Sequence, residues 1–102
     1  DQQFSENVLE ELDEMKKQCM NALDNVKDVM PQNVDDVLSR AVVMEQKNDD
    51  MRDKYFKKQL QRLKKGKCKP QSGIVFSEVL TDFERMGDHT LNIAQQYKEM
   101  AQ

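Results

Sequence analysis

Residues 72–101 read SGIVFSEVLTDFERMGDHTLNIAQQYKEMA, and this segment decides the fold. Its apolar side chains recur at alternating intervals of three and four residues, a spacing that lines them up along one side of an α-helix. The predicted row is Phe76, Val79, Phe83, Met86, Thr90, Ile93, Tyr97 and Met100. A second row beside it contains Ile74, Leu80, Leu91 and Ala94. Two apolar rows on one helix, which Ser72 is predicted to cap, indicate that this helix packs against two neighbours at once.

Two further helices are predicted on the N-terminal side of this segment. The first runs from about Phe4 to Met30 and stops because a proline follows. The second begins at Asn33, a residue type that caps helices, and ends around Lys65–Gly66, with lysines in its last turn. Because short connections force consecutive helices to run antiparallel, the sequence predicts an all-α, antiparallel up-down-up bundle of three long helices.

The composition agrees with one small helical domain spanning residues 1–102. Charged residues make up 34% of the chain and aromatic residues 6%, with only three glycines and two prolines. No apolar run approaches the roughly 20 residues that a membrane span needs, and the opening residues do not resemble a signal peptide. The start at Asp1 rather than Met suggests a piece excised from a longer protein. Cys19 and Cys68 are too few for a disulfide framework, which favours a reducing cytoplasm.

Four carboxylates on the second and third helices form the strongest candidate site. Glu45 with Asp49, and Glu84 with Asp88, are each four residues apart, so each pair lies on one helical face. Counting back from the turn between the two helices places both pairs in one layer. Burying like charges together is costly unless a cation is present, and oxygen ligands suit Mg²⁺, Ca²⁺, Mn²⁺ or iron. The spacing therefore predicts a site for a divalent metal or iron.

Other interpretations of these acids remain open. In a chain that is 34% charged, acidic pairs at this spacing often lie on plain solvated faces. The acids can also pair with a nearby base, and four residues are candidates for counter-charge or for support of the metal ligands: Arg52, Arg85, His89 and Asn92. A carboxylate-bridged metalloenzyme is disfavoured, because no histidine has the i, i+3 spacing from a glutamate that di-iron bundles use. We assign no catalytic residue from these spacings.

The string Glu84-Arg85-Met86-Gly87-Asp88-His89, followed by Leu91-Asn92-Ile93-Ala94, resembles the third-helix signature of PhoU domains. Residues 66–76, GKCKPQSGIVF, are similar to the version attached to bacterial sodium/phosphate symporters, where a PhoU-like domain follows the transmembrane part. The resemblance extends from about Glu45 to Gln95. It implies a three-helix bundle in which the two acidic pairs are the E/D-xxx-D metal motifs that several PhoU domains carry.

This resemblance implies a non-enzymatic regulatory or accessory domain of sodium/phosphate transport, on the cytoplasmic side of the plasma membrane. Its expected partner is a transmembrane phosphate transporter domain on the same chain or on a separate one. The alternative is a stand-alone PhoU-like regulator of phosphate signalling. Such regulators carry two repeats and this chain has one, so the second repeat would come from a second copy of the chain, as a homodimer, or from a missing segment.

Basic residues are concentrated at the second turn. Residues 57–69 contain seven Lys or Arg and no Asp or Glu. In an up-down-up bundle this turn lies at the same end as the N-terminus, where a preceding transmembrane domain would attach. A membrane-facing basic patch is therefore predicted at Lys64, Lys65, Lys67 and Lys69. The alternative is that these lysines only complement the helix dipole and aid solubility.

Nucleic acid is not expected as a partner, because the chain has a net charge of −3 and no recognition motif.

Overall fold

The computed structural model describes residues 6–102, which form three long α-helices joined by two short turns. Helix α1 comprises Glu6–Lys27, α2 comprises Val34–Lys64 and α3 comprises Pro70–Ala101. Each helix packs against both of the others, and the described residues span 53 × 20 × 16 Å. The predicted all-α three-helix bundle is confirmed. The predicted start of the first helix near Phe4 lies outside the described residues.

Contacts near the ends of the helices fix their directions. Glu11 near the start of α1 pairs with Arg62 near the end of α2. Asn25 near the end of α1 donates a hydrogen bond to the carbonyl oxygen of Val37 near the start of α2, at 2.9 Å. The last turns of α3 lie against the first turn of α2 in the same way, through an ion pair between Lys98 and an aspartate there. Neighbouring helices along the chain are therefore antiparallel.

The end of α2 follows the prediction, because Gly66 adopts a left-handed conformation with φ of 67°. Gly66 N donates to Leu63 O at 3.1 Å and Lys67 N donates to Arg62 O at 2.8 Å, which is the Schellman arrangement of a helix end. This turn satisfies carbonyl groups that the end of a helix otherwise leaves without partners. It also sets the short connection that brings α3 back along α2.

Of the two predicted helix caps, Asn33 is confirmed in position only and Ser72 is wrong. Asn33 does precede α2, but its Oδ1 accepts a hydrogen bond from Met30 N at 2.8 Å and its amide donates to Asp28 O at 3.2 Å. The side chain therefore stabilises the preceding turn instead of capping the helix. Ser72 lies inside the first turn of α3, which begins two residues earlier because Pro70 suits the first helical position.

The inward face of α3 differs from the predicted rows at four of their twelve positions. Phe76 and Thr90 are buried, and Phe83 and Tyr97 are half-buried, as predicted. Met86, Ile93 and Met100 from the same row, and Ile74 from the second row, are exposed. The face is completed by a row with a seven-residue repeat: Gly73, Leu80, Gly87 and Ala94. Leu80 and Ala94 belong to the predicted second row, whereas the glycines do not. Two of its four members are glycines, which carry no apolar side chain that would mark them in the sequence.

The apolar core is divided into two clusters along the length of the bundle. One contains Val8, Met15, Tyr55, Phe76 and Leu80, and the other contains Val26, Val37, Ala41 and Ala94. Between them on α2 and α3 lie buried polar or small residues, namely Asn48, Gly87 and Thr90. On α2 and α3 the apolar core is therefore interrupted at mid-length, at the level of the predicted carboxylate layer.

Candidate metal site

A close approach between α2 and α3 sets the geometry of the site. Asn48 is 2% exposed, and its Nδ2 donates to the carbonyl oxygen of Phe83 at 3.3 Å. A Cβ atom at Gly87 would overlap this amide group, so only glycine allows the two backbones to come this close. Asn48 lies between Glu45 and Asp49 along α2, and Gly87 lies between Glu84 and Asp88 along α3. The contact therefore brings the two acidic pairs together.

The pKa of Glu45 is affected by acids from both helices. Glu45 is half-buried, and its pKa is raised from 4.5 to about 7. The largest cause is a hydrogen bond that the protonated group shares with Asp49, followed by burial and by the negative charge of Asp49. Asp88 from the facing helix raises the pKa of Glu45 further, by the same two kinds of interaction. A positive ion would remove the repulsion that favours this proton.

Glu84 completes the cluster from the α3 side. Burial raises the pKa of Glu84, and a shared hydrogen bond with Asp49 acts in the same direction. The guanidinium of Arg52 opposes this increase, since its Nε lies 3.9 Å from Glu84 Oε1. Of the four acids only Asp88 is largely exposed, so the cluster opens to solvent beside α3. We call Glu45, Asp49, Glu84 and Asp88 the carboxylate cluster.

Of the four predicted neighbours, Arg52 is the one that the structure places against the cluster. Counting back from the turn predicts Asp53 at the level of Glu84, but the side chain that contacts Glu84 is that of Arg52. Arg85, His89 and Asn92 are exposed. Arg85 lines a shallow depression on α3 together with Ser77, Glu78, Thr81 and Asp82.

The donor set of the cluster fits a hard cation. Carboxylate oxygens are what Mg²⁺, Ca²⁺ and Mn²⁺ prefer, and the raised pKa of Glu45 shows an excess of negative charge to be neutralised. Asn48 Oδ1, one residue from Asp49, is buried without a hydrogen-bond donor. Within residues 6–102, however, no three His, Cys, Asp or Glu side chains converge as a ready-made metal cluster. The acids influence one another across both helices without converging on one point, and binding an ion would require their side chains to close in.

The burial of Asn48 is the part of the site that sequence reasoning did not identify. The signal that could have found it is its spacing, because Asn48 stands seven residues after Ala41 and seven before Tyr55, both of which are buried. A polar residue in the middle of such a repeat indicates a specific contact in the core. Here that contact is the one with the backbone of α3.

The predicted basic patch lies where the sequence placed it. Lys64 ends α2, Lys65 and Lys67 lie in the turn, and Lys69 precedes α3; all four are exposed. The start of α1 reaches this same end of the bundle, since Glu11 pairs with Arg62 there. None of the three described helices combines the length and the apolar character needed to cross a bilayer.

Comparison with known proteins agrees with the sequence resemblance. The family model of the PhoU domain matches residues 12–97, a range that includes the carboxylate cluster and parts of all three helices. No curated protein and no solved structure matches the chain. Because the match spans most of its length, the chain belongs to the PhoU domain family, which indicates a regulatory role in phosphate transport.

Proposed function

We propose that this chain is a non-enzymatic, cytoplasmic regulatory domain of sodium/phosphate transport that binds a divalent metal or iron ion through Glu45, Asp49, Glu84 and Asp88. The observation that carries the metal part is the contact between Asn48 and Gly87, which brings together two acidic pairs that would otherwise repel. The raised pKa of Glu45 supports it, since the metal-free cluster holds a proton near neutral pH.

The position of the cluster explains how a bound ion could affect a transporter that contacts the bundle. The cluster lies at the α2–α3 contact, between the two apolar clusters. An ion bound there draws α2 and α3 together at mid-length and removes repulsion between them. A transporter that contacts the bundle would then meet a more rigid surface. In this proposal the chain itself performs no covalent chemistry.

The test of metal binding is a melting experiment on the full 102-residue chain with and without Mn²⁺. Binding to the native state alone adds about 2.7 kcal/mol at roughly a hundredfold excess over Kd, which corresponds to an increase in Tm of roughly 10 °C or more. The variant Asp49→Asn with Asp88→Asn should lose this increase. It should also be more stable than wild type without metal, because repulsion within the cluster is reduced.

The matched control is Asp50→Asn with Asp82→Asn, which removes the same charge from the same two helices at exposed positions. We expect this control to keep the increase in Tm. If wild type melts at one temperature with and without Mn²⁺, Mg²⁺ or iron, the acids are a structural feature balanced by Arg52, and the metal proposal is wrong.

The transporter part of the proposal has its own test. A reading frame that encodes apolar spans upstream of Asp1 supports a transmembrane domain on the same chain. A start codon directly before Asp1, with a separate transporter that binds the purified domain, supports a partner on another chain. If no phosphate transporter binds or carries the domain, this part is wrong.

A stand-alone PhoU-like regulator acting as a homodimer is the second candidate, favoured by the exposed apolar row on α3. Met86, Ile93 and Met100 follow one another at seven-residue intervals, the spacing of a helix–helix contact, yet they are 40%, 45% and 84% exposed. Sedimentation equilibrium tests this candidate. A dimer that dissociates in Met86→Gln with Ile93→Gln supports it, whereas a monomeric wild type rules it out.

A further inference from the structure

Arg52 is the positive charge nearest to the carboxylate cluster, and it is held there loosely. Its Nε lies 3.9 Å from Glu84 Oε1, which is too far for a hydrogen bond, and this nitrogen is buried without a hydrogen-bond partner. Strong arginine–carboxylate pairs instead form two parallel hydrogen bonds at about 2.7–2.9 Å. The attraction between Arg52 and Glu84 therefore comes from charge rather than from directed bonding.

The guanidinium also has contacts that do not depend on the cluster. Its Nη1 donates to Asp53 Oδ1 at 3.3 Å, and its central carbon lies 5.2 Å from the centre of the Phe56 ring. The side chain as a whole is 28% exposed. Arg52 can consequently move away from Glu84 towards solvent while it keeps Asp53 and the aromatic face as partners.

We propose that Arg52 is the resident cation of the carboxylate cluster and competes with a metal ion for it, so that Arg52 sets the metal affinity of the site. This inference rests on the proposed function, since it concerns the same four acids. This competition also favours divalent over monovalent ions. A monovalent ion would only replace one positive charge by another, whereas a divalent ion adds a net charge to the cluster.

The experiment is calorimetric titration of Mn²⁺ into the metal-free full chain, for wild type and four variants. Removing a positive charge a few ångströms from the ion should make Arg52→Gln bind Mn²⁺ about tenfold or more tightly than wild type. Arg52→Met, which retains the apolar contact with Phe56, should do the same. Arg52→Lys retains the charge and should bind within about threefold of wild type.

Arg85→Gln is the matched control, because it removes the same charge from a residue next to Glu84 in the sequence. The Arg85 side chain lies in the depression on α3, away from the carboxylate cluster. We expect its Kd to stay within about threefold of the wild-type value. A second readout needs no metal: in EDTA, Arg52→Gln should melt at a lower temperature than wild type, whereas Arg52→Gln with Glu84→Gln should recover the loss.

The outcomes separate this inference from the metal proposal. If wild type binds Mn²⁺ and Arg52→Gln and Arg52→Met bind it equally or more weakly, the competition is wrong and the metal site stands. If Arg52→Gln and Arg52→Met bind Mn²⁺ while wild type and Arg52→Lys do not, the competition is supported, and the metal proposal is wrong for the wild-type chain because Arg52 holds the site. If wild type and all variants fail to bind, both proposals are wrong and Arg52 is a fixed structural counter-charge.

Discussion

Asn48 of α2 fills the space that a side chain on Gly87 of α3 would need. Gly87→Ala must push the buried amide away from its hydrogen bond with Phe83 O. The gain in helix propensity, about 0.5–1 kcal/mol, offsets part of this cost. We expect a net loss of about 1–2 kcal/mol in the free energy of unfolding, measured by urea denaturation.

The control for this prediction is Gly73→Ala in the same seven-residue row. There the nearest atoms are the terminal methyl groups of Leu63, at 3.1 and 3.2 Å, and they can shift with little cost. Gly73→Ala should therefore be close to neutral. If Gly87→Ala is as stable as wild type, the contact with Asn48 does not set the distance between α2 and α3.

The raised pKa of Glu45 determines the sign of a pH effect on stability. The pKa is 4.5 in the unfolded chain and about 7 in the folded one, so between these values the folded state binds the proton more tightly. The stability that this group contributes is therefore fully present below about pH 4.5 and is lost as the pH rises through about 7. We expect the metal-free chain to melt at a lower temperature at about pH 8 than at about pH 5.5.

Glu45→Gln should reduce this pH dependence, because the glutamine cannot lose a proton. Circular dichroism melts across the pH range would measure it, with Asp50→Asn as a control that keeps the wild-type slope. Glu84, whose pKa is also raised, contributes in the same direction, so part of the slope should persist in Glu45→Gln. An unchanged slope in that variant would contradict the interaction of Glu45 with Asp49 and Asp88.

The ion pair between Glu11 and Arg62 joins α1 to α2 at the end of the bundle that carries the basic patch. Both side chains are mostly buried, and Glu11 Oε1 already lacks a hydrogen-bond partner. Arg62→Met would leave the whole carboxylate buried and unpaired, which costs about 3–5 kcal/mol. We expect a loss of about that size in urea denaturation.

Replacing both members, as Glu11→Leu with Arg62→Met, should recover most of this loss, because no buried charge remains. The control is Lys17→Met, which removes an exposed ion pair with Asp13 at 3.0 Å and should change stability little. A double variant as unstable as Arg62→Met alone would show that packing, rather than the unpaired charge, causes the loss.

The end of α2 and the convergence of the acids could be predicted because they depend on local rules, whereas α1 ends at Lys27 rather than near Met30. Gly66 after a run of lysines predicts the end of α2, and the short turn that follows forces α3 back along α2. Once the helices are antiparallel, counting back from that turn places Glu45–Asp49 and Glu84–Asp88 near one level, and the i, i+4 spacing keeps each pair on one face of its helix.

The two glycines of the inward row of α3 could not be predicted from hydropathy, since glycine gives no apolar signal where it allows a close approach. Gly87 does so against Asn48, so a polar residue and a residue without a side chain form the contact at mid-length. Helix geometry could have shown that Arg52, rather than Arg85, lies beside the acids. Arg85 follows Glu84 directly and points about 100° away from it, whereas Arg52 stands three residues after Asp49 and stays on its face.

The basic patch predicts binding of the domain to anionic membranes, and four exposed lysines at one end of the bundle carry this prediction. Each Lys near such a surface contributes about 1 kcal/mol, so changing Lys64, Lys65, Lys67 and Lys69 to Gln should weaken partitioning by roughly a hundredfold or more. Co-sedimentation with phosphatidylserine vesicles at rising salt measures it, because screening should release the wild type.

The control changes four exposed lysines elsewhere, with the same loss of charge: Lys16, Lys17, Lys27 and Lys47. If the two quadruple variants bind alike, or salt has no effect, these lysines only complement the end of α2 and the membrane-facing prediction is wrong.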